Sequence, residues 1–136
     1  MLKQRTIREP VHAIGIGVHS GAKVRMTLRP GEINSGINFI RSDLGGAQNR
    51  VPALADYVAD TTLSTSIADG AVHVATVEHL MSSLWGLGID NLLIELSAEE
   101  VPIMDGSAAP FIKMINSAGI VCLLYTSPSP RDDVIS

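Results

Sequence analysis

Thr76-Val77-Glu78-His79-Leu80-Met81-Ser82-Ser83-Leu84-Trp85-Gly86-Leu87-Gly88 is the stretch that decides how the rest of the chain folds. Val77, Leu80, Met81, Leu84 and Trp85 fall at i, i+3, i+4, i+7 and i+8, so on a helix they form one apolar stripe that faces a core. Thr76 is placed as the N-cap, with Gly86 and Gly88 marking the stop. The charged pair Glu78-His79 stands in the first turn. Steps of about 100° per residue put Glu78 at the edge of the stripe and His79 on the opposite face, beside Ser82 and Ser83. The positive end of the helix dipole favours a neutral imidazole, the form that binds a metal, and a neighbouring Glu78 is placed to take a proton from metal-bound water. A Glu drawn to the first turn by the dipole and a solvated His on a polar face account for the same residues. The familiar zinc helix also carries a second His one turn on, where this chain has Ser83. A catalytic zinc takes three protein ligands, and this helix supplies one.

Working outward, a second helix is expected after Asp105-Gly106, with Ser107 as N-cap and Pro110 in the first turn, where its missing N–H costs little. Phe111, Ile112, Met114, Ile115 and Ala118 cover more than one stripe of it, and Gly119 ends it. Before the helices come strands. Val11, Ala13, Ile14, Ile16 and Val18 lead to a turn at Ser20-Gly21-Ala22 and resume as Val24, Met26 and Leu28, a hairpin ended by Pro30. Ile37–Arg41 is a short strand, Leu44 to Arg50 a Gly-rich loop, and further strands fall near Leu63–Ile67, Val72–Ala75 and Asn91–Leu96. The expected fold class is α+β: a two-layer domain with one small, mostly antiparallel sheet and two helices packed on one face.

A chain of 136 residues has room for one domain with a modest core. Hydrophobic residues make up 46% and charged residues 18%; the latter is below the usual quarter, so part of the surface is suited to being covered by a partner or a further domain. The net charge is −4 and no run of Lys and Arg occurs along the sequence, which argues against nucleic acid as the main partner. The N-terminus lacks an apolar h-region and no apolar run reaches membrane-spanning length, giving the expectation of a cytoplasmic protein without a membrane span. Cys122 is the only cysteine, which excludes an intrachain disulfide framework and a multi-cysteine zinc site.

The tail changes character. Cys122-Leu123-Leu124-Tyr125-Thr126-Ser127-Pro128-Ser129-Pro130-Arg131-Asp132 resembles a sequencing-library transposase adapter translated in frame. The expectation is an amino-terminal domain over 1–121 followed by a non-native, disordered tail over 122–136, which is set aside from fold reasoning.

Four strings then stand in order: Gly15-Ile16-Gly17-Val18-His19-Ser20-Gly21, Thr76-Val77-Glu78-His79-Leu80, Gly86-Leu87-Gly88-Ile89-Asp90-Asn91, and Val101-Pro102-Ile103-Met104-Asp105-Gly106-Ser107-Ala108-Ala109-Pro110-Phe111. With Lys3-Gln4-Arg5-Thr6 at the start, they resemble the UDP-3-O-acyl-N-acetylglucosamine deacetylase family, zinc hydrolases of lipid A synthesis, over about residues 1–121. The resemblance implies an enzyme of two similar α+β domains whose helix layers face each other across the active site. This chain would be the first domain, and the second domain of the same chain its missing partner. Glu78 matches the general base and His79 the one zinc ligand of this domain. The remaining ligands, a His and an Asp one helical turn apart, and a further catalytic His belong to the second domain. Thr62-Leu63-Ser64 match the segment beside the site, which makes Leu63 and Ser64 candidate substrate-binding residues. The implied chemistry is removal of the N-acetyl group from UDP-3-O-acyl-N-acetylglucosamine. In it Zn2+ polarises the amide carbonyl and Glu78 takes the proton of the attacking water. On its own the fragment would be inactive.

Other residues read more plainly. His19 matches a family position but reads first as a structural hydrogen-bonding residue. Gly15, Gly17 and Gly21 lack the Lys-Ser/Thr and the helix of a phosphate cradle and read as permissive hairpin positions. His73, between Val72 and Val74, reads as a surface residue, and Asp105-Gly106 as a turn leading into a helix. A non-enzymatic binding module of similar two-layer fold, such as a ribosomal-protein-like RNA binder, is the competing reading, since fold alone does not decide function. Against it stand the acidic balance and the 4% aromatic content, where an RNA binder carries a basic face or stacking platforms.

Overall fold

Alternation along residues 23–28 turns Val24, Met26 and Leu28 inward, where each is fully buried, and leaves Lys23 and Arg25 outside. In the computed structural model, which describes residues 2–45, 49–54, 57–61, 65–70 and 72–125, that segment is a central strand. The elements are β1 (Leu2–Ile7), β2 (Val11–Ile16), β3 (Lys23–Pro30), β4 (Ile37–Arg41), β5 (Arg50–Pro52), β6 (Val58–Asp60), β7 (Ser66–Asp69), β8 (Val72–Ala75), α1 (Glu78–Leu87), β9 (Leu92–Leu96), α2 (Ala109–Ala118) and β10 (Ile120–Tyr125).

The main sheet has the order β2-β3-β9-β4-β5 and is antiparallel except for the parallel pair β4 and β9. Its inner face, with Val24, Met26, Leu28, Phe39, Ile94 and Leu96, shares one core with Leu80 and Leu84 of α1 and Phe111 and Ile115 of α2. The α+β class with helices on one face is therefore the observed one. The strands form three sheets rather than one. β6, β7 and β8 make an antiparallel meander between β5 and α1. β1 and β10 make a two-stranded ladder, docked where the Arg5 carbonyl accepts from the N–H groups of Asp90 and Asn91. The β1–β10 ladder continues past Val121, pairing Cys122 to Tyr125 with Arg5 to Leu2. Main-chain pairing does not depend on side-chain identity, and residues 126–136 lie outside the described residues.

Both helices begin differently from expectation. Thr76 is not the N-cap of α1: that position is Val77, with helical φ and ψ and no capping side chain. Thr76 instead has φ 62°, and its hydroxyl is engaged elsewhere. On the stripe, Val77, Leu80, Met81 and Leu84 are buried as read, but Trp85 is 74% exposed and lines an open cavity with Glu78 and Met81. Ser83, expected on the polar face, is buried; its hydroxyl donates to the His79 carbonyl at 2.8 Å and the Ala108 carbonyl at 3.2 Å, which ties α1 to the start of α2. Gly86 lies inside the helix, and Gly88 closes it in the left-handed region at φ 70°, donating to the carbonyls of Leu84 and Trp85. In α2 the N-cap is Ala108, while Ser107 sits one residue earlier and Pro110 occupies the first turn.

Candidate active site

The helix carrying Glu78 and His79 is set in place from below by Glu100. Glu100 is 2% exposed, yet its carboxylate accepts from the His19 N–H at 3.0 Å, the Ser20 N–H at 3.2 Å, the Ser20 hydroxyl at 3.1 Å and the Thr76 hydroxyl at 3.0 Å. Burial pushes the carboxyl up, but these donors outweigh it and hold Glu100 below the ordinary glutamate range. A β-branched residue at φ 62° is a strained arrangement. The bond to Glu100 holds Thr76 in it, which redirects the backbone from β8 into α1. Gly17 belongs to the same arrangement, since a Cβ there would run into the Glu100 carboxylate. Gly17 therefore serves close approach, whereas Gly21 at φ 69° is the hairpin residue that needs left-handed freedom.

From this base Glu78 and His79 project from the first turn, both half-buried. Both Glu78 carboxylate oxygens lie 3.4 Å from the Thr65 N–H. Glu78 also lines the mouth of a cavity of about 280 Å³ whose walls include Leu54, Val58, Ile67, Val77 and Met81. A carboxylate at the edge of an apolar recess is suited to act as a base on a water molecule at its rim. Asp105 is held below the ordinary aspartate range chiefly by the Ser107 hydroxyl and N–H, which donate to its carboxylate at 2.6 and 2.9 Å.

Leu63 and Ser64, the candidate substrate-binding residues, lie outside the described residues. His19 joins the Glu100 cluster through its main chain, so the structural bond expected of it is made by the backbone N–H. His12 lies on the far face of the sheet, with Nδ1 3.0 Å from Thr27 Oγ1, and His73 is half-exposed, 4.0 Å from Glu99. Among the described residues no three His, Cys, Asp or Glu side chains gather as a metal site. Glu100 was not singled out from the sequence, and Thr76 was read there only as the N-cap of the helix. A buried Glu in Glu99-Glu100 becomes legible only when the N–H groups that satisfy it are known.

The family-wide sequence pattern described as UDP-3-O-acyl N-acetylglycosamine deacetylase matches residues 4–129. The chain belongs to that deacetylase family. Among curated relatives, the UDP-3-O-acyl-N-acetylglucosamine deacetylase of Teredinibacter turnerae is 58% identical over 120 residues, covering 88% of this chain and 39% of the relative. Its counterpart in Chromohalobacter salexigens is 57% identical over the same shares, and that of Saccharophagus degradans is 54% identical over 121 residues, 89% of this chain and 40% of the relative. The chain thus spans about two fifths of the length of the deacetylases it matches. Each quoted family motif has a visible structural role. In Gly86–Asn91, Asp90 accepts from the Arg5 N–H and Asn91 from the Gly36 N–H. In Val101–Phe111, the N–H groups of Val101 and Ile103 donate to the carbonyls of Ala75 and Ile16. No helix among the described residues of this deacetylase-family chain is long and apolar enough to cross a membrane.

Proposed function

We propose that the chain is the amino-terminal part of a cytoplasmic, zinc-dependent deacetylase acting on UDP-3-O-acyl-N-acetylglucosamine, with Glu78 as general base and His79 as one zinc ligand. The observation that supports this most directly is the placement of Glu78 and His79 side by side on the first turn of α1, with Glu78 at the mouth of an apolar cavity, in a chain of the deacetylase family. The other ligands of the metal belong to the part of the protein outside this chain. Bound there, zinc supplies polarisation of the amide carbonyl. This chain's own contribution is to hold the base and one imidazole in fixed relation: Glu100 and Thr76 fix where the helix starts, and Ser83 fastens its first turn to α2. Leu63 and Ser64 contribute to the substrate side of the same site.

The experiment is a pair of substitutions in the full-length protein. Glu78→Ala leaves zinc bound and lowers turnover by about 10²–10⁴-fold, the usual effect of losing a general base. His79→Ala lowers the zinc content itself. Near-normal turnover of the Glu78 variant, or full zinc occupancy in the His79 variant, would show the assignment to be wrong.

A further inference from the structure

The outward face of the main sheet carries more cations than anions. Across it, Ile16 lies opposite Lys23, Ile14 opposite Arg25 and His12 opposite Thr27; Thr27 lies opposite Glu95, Glu95 beside Ile40, and Ile40 opposite Arg50. Alternation therefore brings Lys23, Arg25, Arg29 and Arg50 to this one face, although they do not form a run in the sequence. Among the described strand residues there, the only carboxylate is Glu95, and it is already paired with Arg29 at 2.7 Å. Lys23, Arg25 and Arg50 make no ion pair among the described residues. This concentration stands out on a chain whose net charge is −4.

Beside the cations, at the sheet edge, Ile14, Ile16 and Val18 are 51%, 48% and 53% exposed. Single exposed apolar residues need no explanation, but a contiguous group rimmed by charge marks an interaction site. We propose that this sheet face docks on an anionic lipid bilayer, with Lys23, Arg25 and Arg50 among the headgroups and Ile14, Ile16 and Val18 in the interfacial layer. The argument is charge complementarity joined to apolar protrusion. Juxtamembrane cations are drawn to an anionic leaflet, and apolar area buried at the headgroup boundary adds to that attraction. A nucleic acid would use the same cations but leave the isoleucines in water, and the described strand residues of this face include no Phe, Tyr or Trp on which bases could stack. The helices α1 and α2 pack on the opposite face of the sheet. The proposal does not depend on the deacetylase reading.

The test is co-sedimentation of the 136-residue chain with vesicles of phosphatidylcholine alone and of phosphatidylcholine mixed with phosphatidylglycerol. Binding is expected to the anionic vesicles only, and to fall as salt is raised. Removing each cation weakens partition about fivefold, so Lys23→Ala with Arg25→Ala together should weaken it roughly 25-fold. Ile14→Ser with Ile16→Ser should also weaken vesicle binding while leaving retention on a heparin column unchanged. All four positions are exposed, and circular dichroism checks that the variants fold. Equal binding to both vesicle types, no binding to anionic vesicles at low salt, or wild-type binding that survives high salt each overturns the proposal, and none of the three needs a variant. It is equally overturned if the isoleucine variant binds vesicles like the wild type, which would mark a general polyanion surface. Self-association that the Arg25 substitution disperses, without vesicle binding, would instead assign the face to a second copy of the chain.

Discussion

The Thr76 hydroxyl donates to the Glu100 carboxylate at 3.0 Å, so a buried acid joins the loop at 19–20 to the residue that precedes the candidate active-site helix. The two residues solve each other's problem. A buried carboxylate needs donors, and a β-branched residue in the left-handed region needs an interaction that over-determines it.

Glu100→Ala should destabilise the chain by about 1–3 kcal/mol, because it leaves the donors of His19, Ser20 and Thr76 without their acceptor. Thr76→Gly should cost less, since it loses one hydrogen bond but relieves the positive φ. Urea unfolding of both variants checks the order, and an equal or larger loss for Thr76→Gly would mean that backbone strain at 76 is unimportant.

The same carboxylate makes stability depend on pH. Glu100 is held low by its donors, and Asp43 is held low by the hydrogen bond and charge of Arg41. For groups whose pKa is depressed on folding, the stabilisation is fully present above the unfolded values, about 4.3 for Glu and 3.9 for Asp. It is lost as pH falls through the lower folded values. Stability should therefore be level near neutrality and decline from about pH 5 downward, and Glu100→Gln should flatten that decline. An unchanged acid slope in the Gln variant would show that Glu100 does not carry it.

Much of this framework could be read in the residues, and the part that could not has a common cause. The hairpin over 11–30, the strands at 37–41, 72–75 and 92–96 and both helices follow from apolar period and from Gly and Pro placement. What escaped was decided by contacts between distant segments. Thr76 resembles an N-cap by position, yet its hydroxyl is claimed by Glu100, 24 residues on. Ser83 reads as polar surface until Ala108 is placed beside it. Trp85 continues the stripe in sequence but lines an open cavity with Leu54 and Val58 instead of joining the core that holds Leu84. Glu78 and His79 were legible as a pair because adjacency on a helix is local, whereas the cavity beside Glu78 is built from Ala53 and Leu54 after β5, from β6 and β7, and from α1, and has no local signature.

Trp85 offers a direct probe of what covers α1. It is the only tryptophan and is 74% exposed, on the helix layer that the two-domain reading places against the second domain. Its emission in this chain should be that of a solvated indole, readily quenched by acrylamide. In the full-length protein with any other tryptophans replaced, it should shift to the blue and quench less. Identical spectra in both proteins would remove Trp85 from the interdomain surface.

The segment from Cys122 onward is proposed to be a translated adapter. An independent nucleotide read across codon 122 should show adapter sequence in this source and a different, native continuation in the gene. A read giving the same codons from untreated genomic DNA would make Cys122–Ser136 native. The pairing of Cys122–Tyr125 with β1 would then be part of the natural fold.

The last prediction concerns zinc in the chain as it stands. A catalytic zinc is held by three protein ligands, the described residues gather no cluster of three, and the candidate site contributes a single imidazole from His79. Titrated with zinc and dialysed, the 136-residue chain should retain far less than one ion per molecule, and it should release no acetate from UDP-3-O-acyl-N-acetylglucosamine. Mixing it with the separately produced remainder of a relative's chain should restore both properties together if the helix layers meet as proposed, because the missing ligands and the missing half of the site arrive on the same polypeptide. Stoichiometric zinc and acetate release by the chain alone would show that its site is complete, and would overturn the division of ligands between two domains.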